Sequence, residues 1–469
     1  MKILFCAAEC YPFVKVGGLG DVVYSLPKAL VEKGQECSVI LPLYERIRQD
    51  NRDLELIDEF YISLGYRHQY VGVLKKVMDG INFYFIDNKQ YFDRNTVYGE
   101  PDDGERFTFF SKAVIETIIK HFKDYDVLHA HDWQTAMTIP LVREYNIQLK
   151  TVFTIHNLRF QGVYPFSMVF DMLGLPPYYA TEEKMLYFGN ANYLKAAIVF
   201  ADKVTTVSPT YLEEIKNEYY GEGLHGLIKQ YEYKMVGILN GIDFDTFNPE
   251  KDKFLSFEYN KKDIEGKYKN KIAFQKEMDL PQNENIPIIG MVSRLTNQKG
   301  LDLVNAVIDE ILSMNVQFIV LGTGDNMYEN NFRGKEYAYR DKMRAIIKYD
   351  DYFASKVYAS SDLYLMPSQF EPCGLSQMIA MRYGSLPVVR ETGGLNDTVK
   401  AYNMYTKEGN GFTFKNYNAH EMLFTLQKAV GLYYDNRADF NKLIESAMNE
   451  DFSWDKPGEE YIRLYESIL

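Results

Sequence analysis

The stretch Leu363-Tyr364-Leu365-Met366, then Phe370-Glu371-Pro372-Cys373-Gly374-Leu375, then Ser376 to Tyr383 reads as strand, turn and helix. A strand that turns directly into a helix leaves unpaired backbone N–H groups at the helix's first turn. Such amides suit an anion such as phosphate, and Gly374 lets a ligand approach the backbone closely. Glu371 stands at the mouth of the same turn. Like charges repel, so its carboxylate suits sugar hydroxyls or a developing cation and not phosphate. One turn can therefore serve both ends of a phosphorylated sugar. A plain helix start with an acidic residue favoured by the helix dipole fits these few residues equally well.

The same grammar recurs outward from that turn. Lys2 to Ala7 reads as a buried strand, Lys15-Val16-Gly17-Gly18-Leu19-Gly20-Asp21 as a glycine turn, and the residues to Leu30 as a helix closed at Gly34. Val39-Ile40-Leu41 is the next strand, which completes a βαβ unit and predicts a parallel sheet. The turn lacks the GxGxxG dinucleotide fingerprint. Lys15 and the glycines instead suggest a basic loop with free amides at a helix N-terminus. Leu54 to Asp87 predicts added antiparallel strands, and Glu105 to Phe122 a helix. Asp126-Val127-Leu128 leads into His129-Ala130-His131-Asp132-Trp133. His129 and His131 lie two apart with no third ligand nearby, so no metal site is expected. Asp132, past a strand end, suits a sugar hydroxyl, because parallel sheets bind ligands at that edge.

Thr151 to Ile155 is a further strand, followed by His156-Asn157. Glu182 to Phe200 is predicted as one helix, Lys203 to Val207 as a strand, and Pro209 as the first residue of another helix. Asp243 and Asp245 resemble a DxD metal motif but follow a glycine and read as a structural turn. Pro249 to Asn285 is rich in Lys, Asn, Asp and Glu and marks a boundary. The βαβ pattern then restarts at Ile286 to Val292, with Ser293-Arg294-Leu295 and Gln298-Lys299-Gly300 after it. Gln317 to Leu321, Leu386 to Val389 and Gly411 to Phe414 follow as strands, and Thr392-Gly393-Gly394-Leu395 opens another helix. Two α/β halves with ligand-type loops at their strand ends imply a cleft between them. Tyr461, Leu464, Tyr465 and Ile468 have helical spacing and are expected to pack on the first half.

With 469 residues the chain is too long for one core. A net charge of −13 argues against a general nucleic-acid surface, so any cations for phosphate must be local. Four scattered cysteines give no disulfide or zinc pattern and fit a reducing compartment. The chain starts directly as a strand, with no signal peptide and no transmembrane run expected. Cytoplasm is the expected location, with no membrane partner.

Taken together and in this order, the Lys15–Asp21, His129–Trp133, Ser293–Leu295, Gln298–Gly300, Glu371–Leu375 and Thr392–Leu395 motifs, with Asn240-Gly241-Ile242-Asp243, resemble bacterial glycogen synthases and plant starch synthases. The resemblance spans essentially the whole chain. It implies an α/β GT-B fold: two Rossmann-like doubly wound domains facing across a cleft, residues 1–245 and 246–450, and a C-terminal helix, 451–469, crossing back to the first domain. It implies transfer of glucose from ADP-glucose to the non-reducing end of glycogen or another α-1,4-glucan, with retention of configuration and no metal or cofactor. By position, Lys15, Gly17 and Gly18 contact phosphates, and Arg294 and Lys299 neutralise the diphosphate. Gly374 and Leu375, beside Cys373, offer amides, and Glu371 binds glucose hydroxyls. His156, with Asn157 after it, lies beside the reacting sugar; Asp132 lines that pocket, and Thr392 opens a substrate-side turn. Two departures stand out: Gln369 replaces the usual arginine, and Phe247 the usual tryptophan. Competing readings are a UDP-sugar transferase, a phosphorylase, which needs a pyridoxal-bearing lysine, and a non-catalytic glucan-binding protein.

Overall fold

A computed structural model describes residues 1–469. The chain forms two compact units: Met1–Gly241 with Trp454–Leu469, and Ile242–Ser453. In the first, the strands are β1 (Lys2–Cys6), β2 (Glu36–Pro42), β3 (Glu55–Leu64), β4 (Arg67–Met78), β5 (Ile81–Asp87), β6 (Val127–His131), β7 (Lys150–Ile155), β8 (Val163–Tyr164), β9 (Leu186–Tyr187), β10 (Asn190–Asn192), β11 (Lys203–Thr206) and β12 (Met235–Gly237). Nine of them form one sheet in the order β12-β11-β7-β6-β1-β2-β5-β4-β3. It is parallel from β12 to β5, and the meander β5-β4-β3 adds two antiparallel strands at the edge. β1 and β6 are almost wholly buried, as in a parallel sheet covered on both faces, and β6 carries His129 and His131 into that interior.

The second unit carries β13 (Ile288–Val292), β14 (Gln317–Leu321), β15 (Met343–Ile346), β16 (Leu363–Met366), β17 (Leu386–Arg390) and β18 (Phe412–Phe414). All are parallel, in the order β15-β14-β13-β16-β17-β18. Counted within this unit the order is 3-2-1-4-5-6, that of a dinucleotide-binding sheet. The strand order reverses between β13 and β16, and ligands of open α/β sheets bind at the carboxyl ends of the strands flanking such a point. The corresponding reversal in the first unit lies between β1 and β6.

The helix Gly18–Glu32 ends as the sequence predicts. Gly34 has a left-handed φ of 82°, and Gln35 N–H reaches back to the Leu30 carbonyl at 3.0 Å. The final helix, Asp455–Glu466, packs in the first unit, with Tyr461 and Tyr465 fully buried. One expectation fails: Glu182 to Phe200 is not a single helix. Only Tyr193–Phe200 is helical, capped by the Asn192 side chain on Lys195 N–H. The residues before it form β9 and β10 around a Phe188-Gly189 turn, and β8 completes a small antiparallel sheet. Apolar spacing suggested a helix, but turn chemistry and the Asn192 cap decide the local structure.

Candidate active site

At the second unit's reversal point, the loop after β13 carries Arg294 and Lys299, and the loop after β16 carries Glu371. Gly300 has φ 73°, and a Cβ there would stand 2.1 Å from the Pro367 carbonyl oxygen, so only glycine lets the two loops touch. Gln369 N–H donates to the Gln298 carbonyl at 2.9 Å, and the Gln298 amide reaches the Phe370 carbonyl at 3.4 Å. This zipper sets Lys299 Nζ 2.6 Å from Glu371 Oε2, which also accepts from the Ser368 hydroxyl at 3.0 Å. Both charged side chains are largely buried. Arg294 is exposed and makes no ion pair, leaving one free cation beside a compensated pair.

The Thr392-Gly393-Gly394 turn packs against the same place. A Cβ on Gly393 would lie 2.0 Å from the Glu371 carbonyl oxygen, and one on Gly394 2.0 Å from that of Cys373. Gly394 N–H donates to the Glu371 carbonyl at 3.1 Å. Cys373 and Thr392 are buried in this contact. Gly374 takes φ 68°, and Leu375 caps the helix Ser376–Arg382. Lys299, Glu371, Cys373, Gly374, Leu375 and Thr392 thus form one cluster, with Arg294 on the neighbouring loop.

In the first unit, residues follow β1 and β6. The loop of free amides expected at Lys15–Gly18 is corrected here. Val16 and Gly17 N–H both donate to the buried Glu9 carboxylate, the latter at 3.2 Å. Lys15 Nζ pairs with Asp21 at 2.8 Å. Glu9 supplies the anion that such a turn attracts, from within the chain. The first-turn amides of the helix beginning at Gly18 still have no intrahelical partner.

Asp132 sits at φ 56° immediately after β6. Its carboxylate accepts the His156 N–H at 2.8 Å, with a further backbone bond from Asn157. It therefore fixes the loop bearing His156 and Asn157. His131 Nδ1 and His156 Nε2 share a hydrogen bond at 2.9 Å. His129 and His131, two apart on one strand, lie on the same face and stack with ring centroids 4.2 Å apart. His129 is held by the Tyr465 hydroxyl of the final helix at 2.8 Å and by Thr154 at 2.6 Å. Burial lowers His156 to about 3, so it remains neutral at ordinary pH. No group of three or more His, Cys, Asp or Glu side chains is placed to hold a metal ion. The Asp243 carboxylate accepts Asp245 N–H at 2.8 Å, the geometry of a turn.

Sequence reading missed Glu9 and the part played by His131. Neither has a local signature, because the bonds that matter form only when separate loops meet. Glu9 gives a test. Burial raises its carboxyl to about 7, against the pull of the Val16 and Gly17 amides. An acid whose folded value is raised gives stability that is fully present below its unfolded value near 4.5 and lost as pH rises through about 7. Glu9→Gln removes that titration. The variant's unfolding free energy should gain on the parent's by up to about 3 kcal/mol between pH 5 and pH 8 in denaturant melts. A gap that does not change with pH overturns the assignment.

Two doubly wound units, with cations and an acidic turn at the second's reversal point, define a glycosyltransferase of the two-Rossmann, GT-B kind. Residues 2–230 match the family described as starch synthase catalytic domain, and residues 274–446 that described as glycosyl transferases group 1. The chain is 50% identical to a glycogen synthase of Clostridium novyi (strain NT) over 478 residues, covering 100% of this chain and 99% of the relative. It is 49% identical to one of Bacillus cereus (strain ATCC 10987 / NRS 248), covering 100% of both. The catalytic domain of starch synthase IV from Arabidopsis thaliana, solved bound to ADP and acarbose, is 35% identical with a TM-score of 0.91, over 99% of this chain and 98% of that one. A sucrose-phosphate synthase from Thermosynechococcus elongatus is 16% identical with a TM-score of 0.63 over 100% of this chain and 98% of that one, a likeness of fold. The chain belongs to the glycogen synthase family.

Proposed function

We propose that this protein transfers glucose from ADP-glucose to the non-reducing end of an α-1,4-glucan, with retention of configuration. The observation that carries the reading is the second unit's reversal point. There an unpaired guanidinium, Arg294, stands on the loop beside a Lys299–Glu371 pair. Plain glucan binding has no use for cations gathered at a nucleotide-type switch point; a departing diphosphate has. As the glycosyl–phosphate bond breaks, charge grows on the diphosphate, and Arg294, Lys299 and the Gly374 and Leu375 amides stabilise it. Glu371 orients the glucose hydroxyls and offsets the positive charge of the oxocarbenium-like sugar. In the first unit, the first-turn amides of the helix beginning at Gly18 act on the phosphates, with Lys15 and Gly17 holding that turn through Asp21 and Glu9. His156, neutral and anchored by Asp132 and His131, hydrogen-bonds the reacting sugar, with Asn157 beside it. Cys373 and Thr392 shape the turn that receives the donor.

The acceptor oxygen attacks the anomeric carbon on the face the phosphate leaves, and the departing phosphate oxygen takes its proton. The reaction needs no resident cofactor and proceeds in the cytoplasm, where buried thiols such as Cys6 and Cys37 stay reduced. Incubation of the purified protein with glycogen and radiolabelled ADP-glucose or UDP-glucose tests the reading. Label enters glycogen from ADP-glucose at least about tenfold faster, a difference of about 1.4 kcal/mol in transition-state binding. Preference for UDP-glucose overturns the donor assignment, and no incorporation from either overturns the activity.

A further inference from the structure

The turn after β16 is held from inside by one side chain. Gln377 is fully buried, and its Nε2 donates to the Gly374 carbonyl at 2.9 Å, the Cys373 carbonyl at 3.2 Å and the Thr398 hydroxyl at 3.1 Å. Three acceptors around one nitrogen fix which end of the amide is which, because the reverse orientation would set its oxygen against two carbonyl oxygens. Thr398 passes the hold on, since its hydroxyl donates to the Gly394 carbonyl at 2.6 Å. Gln377 thus braces the Glu371–Leu375 turn and the Thr392–Gly394 turn at once. Its own Oε1 is buried with no hydrogen-bond partner. That oxygen lies 2.5 Å from where a Gly374 Cβ would stand, so the side-chain amide fills the space the glycine leaves.

A residue that merely filled the interior here would do better apolar, because a buried acceptor without a partner costs stability. What the glutamine adds is two N–H groups aimed at carbonyls, and these decide where the neighbouring amides point. A trans peptide is planar, with its C=O and N–H on opposite sides. The Cys373 carbonyl shares a peptide with the Gly374 N–H, and the Gly374 carbonyl shares one with the Leu375 N–H. Holding both carbonyls inward therefore turns both N–H groups outward. Neither N–H has a partner within the chain, and both residues are partly exposed. Turn types differ by rotation of such a peptide, and glycine, here at φ 68°, lets it rotate. A rotated peptide would present a carbonyl oxygen, which repels an anion.

We propose that Gln377 is a positioning residue: through the Cys373 and Gly374 carbonyls it locks the Gly374 and Leu375 amides toward the phosphate that carries the sugar. It touches no substrate itself. The inference rests on the reading of this turn given above, in which Glu371 faces the glucose. Glu371 Cγ lies 3.1 Å from the place of a Gly374 Cβ, so the amides beside it meet the sugar-bearing phosphate of the donor. Donors fixed in place before charge develops are the ones that stabilise it.

Isothermal titration calorimetry of the full chain with ADP and with AMP tests the role, because AMP lacks that second phosphate. The parent should bind ADP at least about tenfold more tightly than AMP. Gln377→Met, close in length and without donors, should weaken ADP about tenfold and leave AMP within about twofold. Gln377→Asn is one methylene too short to reach both carbonyls. It should shift the same way with less disturbance of the interior, and it carries the test where the methionine variant does not fold. A folded variant that keeps the parent's preference for ADP, or that loses ADP and AMP equally, overturns the positioning role and leaves the diphosphate reading standing. A parent that binds ADP no more tightly than AMP overturns both.

Discussion

Lys299→Ala should lower kcat by about 10²–10³-fold while the protein stays folded. Lys299 Nζ is the cation nearest the acidic turn, held 2.6 Å from Glu371 by a loop that only Gly300 allows to close on Pro367. A cation fixed before the reaction needs no reorganisation as charge develops on the leaving phosphate, which is why its loss acts chiefly on kcat. The substitution also strands Glu371, 7% exposed, with the Ser368 hydroxyl alone. Breaking a buried pair costs about 3 kcal/mol of stability, so circular dichroism and the melting temperature belong beside the turnover assay. Lys299→Arg keeps the charge and separates loss of charge from loss of fold. Unchanged kcat in folded Lys299→Ala removes this lysine from the mechanism.

The parallel sheets were legible because a strand buried on both faces must be an apolar run, as in Ile3–Cys6 and Leu363–Met366. The turn glycines were legible as glycines, but their reasons were not. Gly300, Gly393 and Gly394 are required by carbonyl oxygens of Pro367, Glu371 and Cys373, residues distant from each in sequence. Periodicity misled at Glu182 to Asn192, where Phe188 stands in a position that turn chemistry would give to asparagine. The pairing of Lys299 with Glu371, the hold of Glu9 on Val16 and Gly17, and the contact of His131 with His156 all join separate loops. No window of sequence contains both partners, so spacing could nominate the residues but not their interactions.

Glu371→Gln separates charge from shape at the same turn. Glutamine keeps an oxygen for sugar hydroxyls but cannot offset positive charge on the anomeric carbon. The expected result is a fall in kcat of about 10²–10³-fold, with donor KM within a few-fold of the parent's, since ground-state hydroxyl contacts survive. The variant also releases Lys299 from its 2.6 Å partner. If the two side chains act as one unit, the double variant Lys299→Ala/Glu371→Gln is far less impaired than the product of the single effects. Residues in direct contact couple in this way, whereas independent ones combine additively in free energy. Full additivity in a steady-state double-mutant cycle would show that the two residues act independently and that their contact belongs to the resting state only. Strong coupling would show that the ion pair sets how each group meets the donor: the lysine is poised toward phosphate because the glutamate holds it, and the glutamate is aimed at the sugar because the lysine holds it.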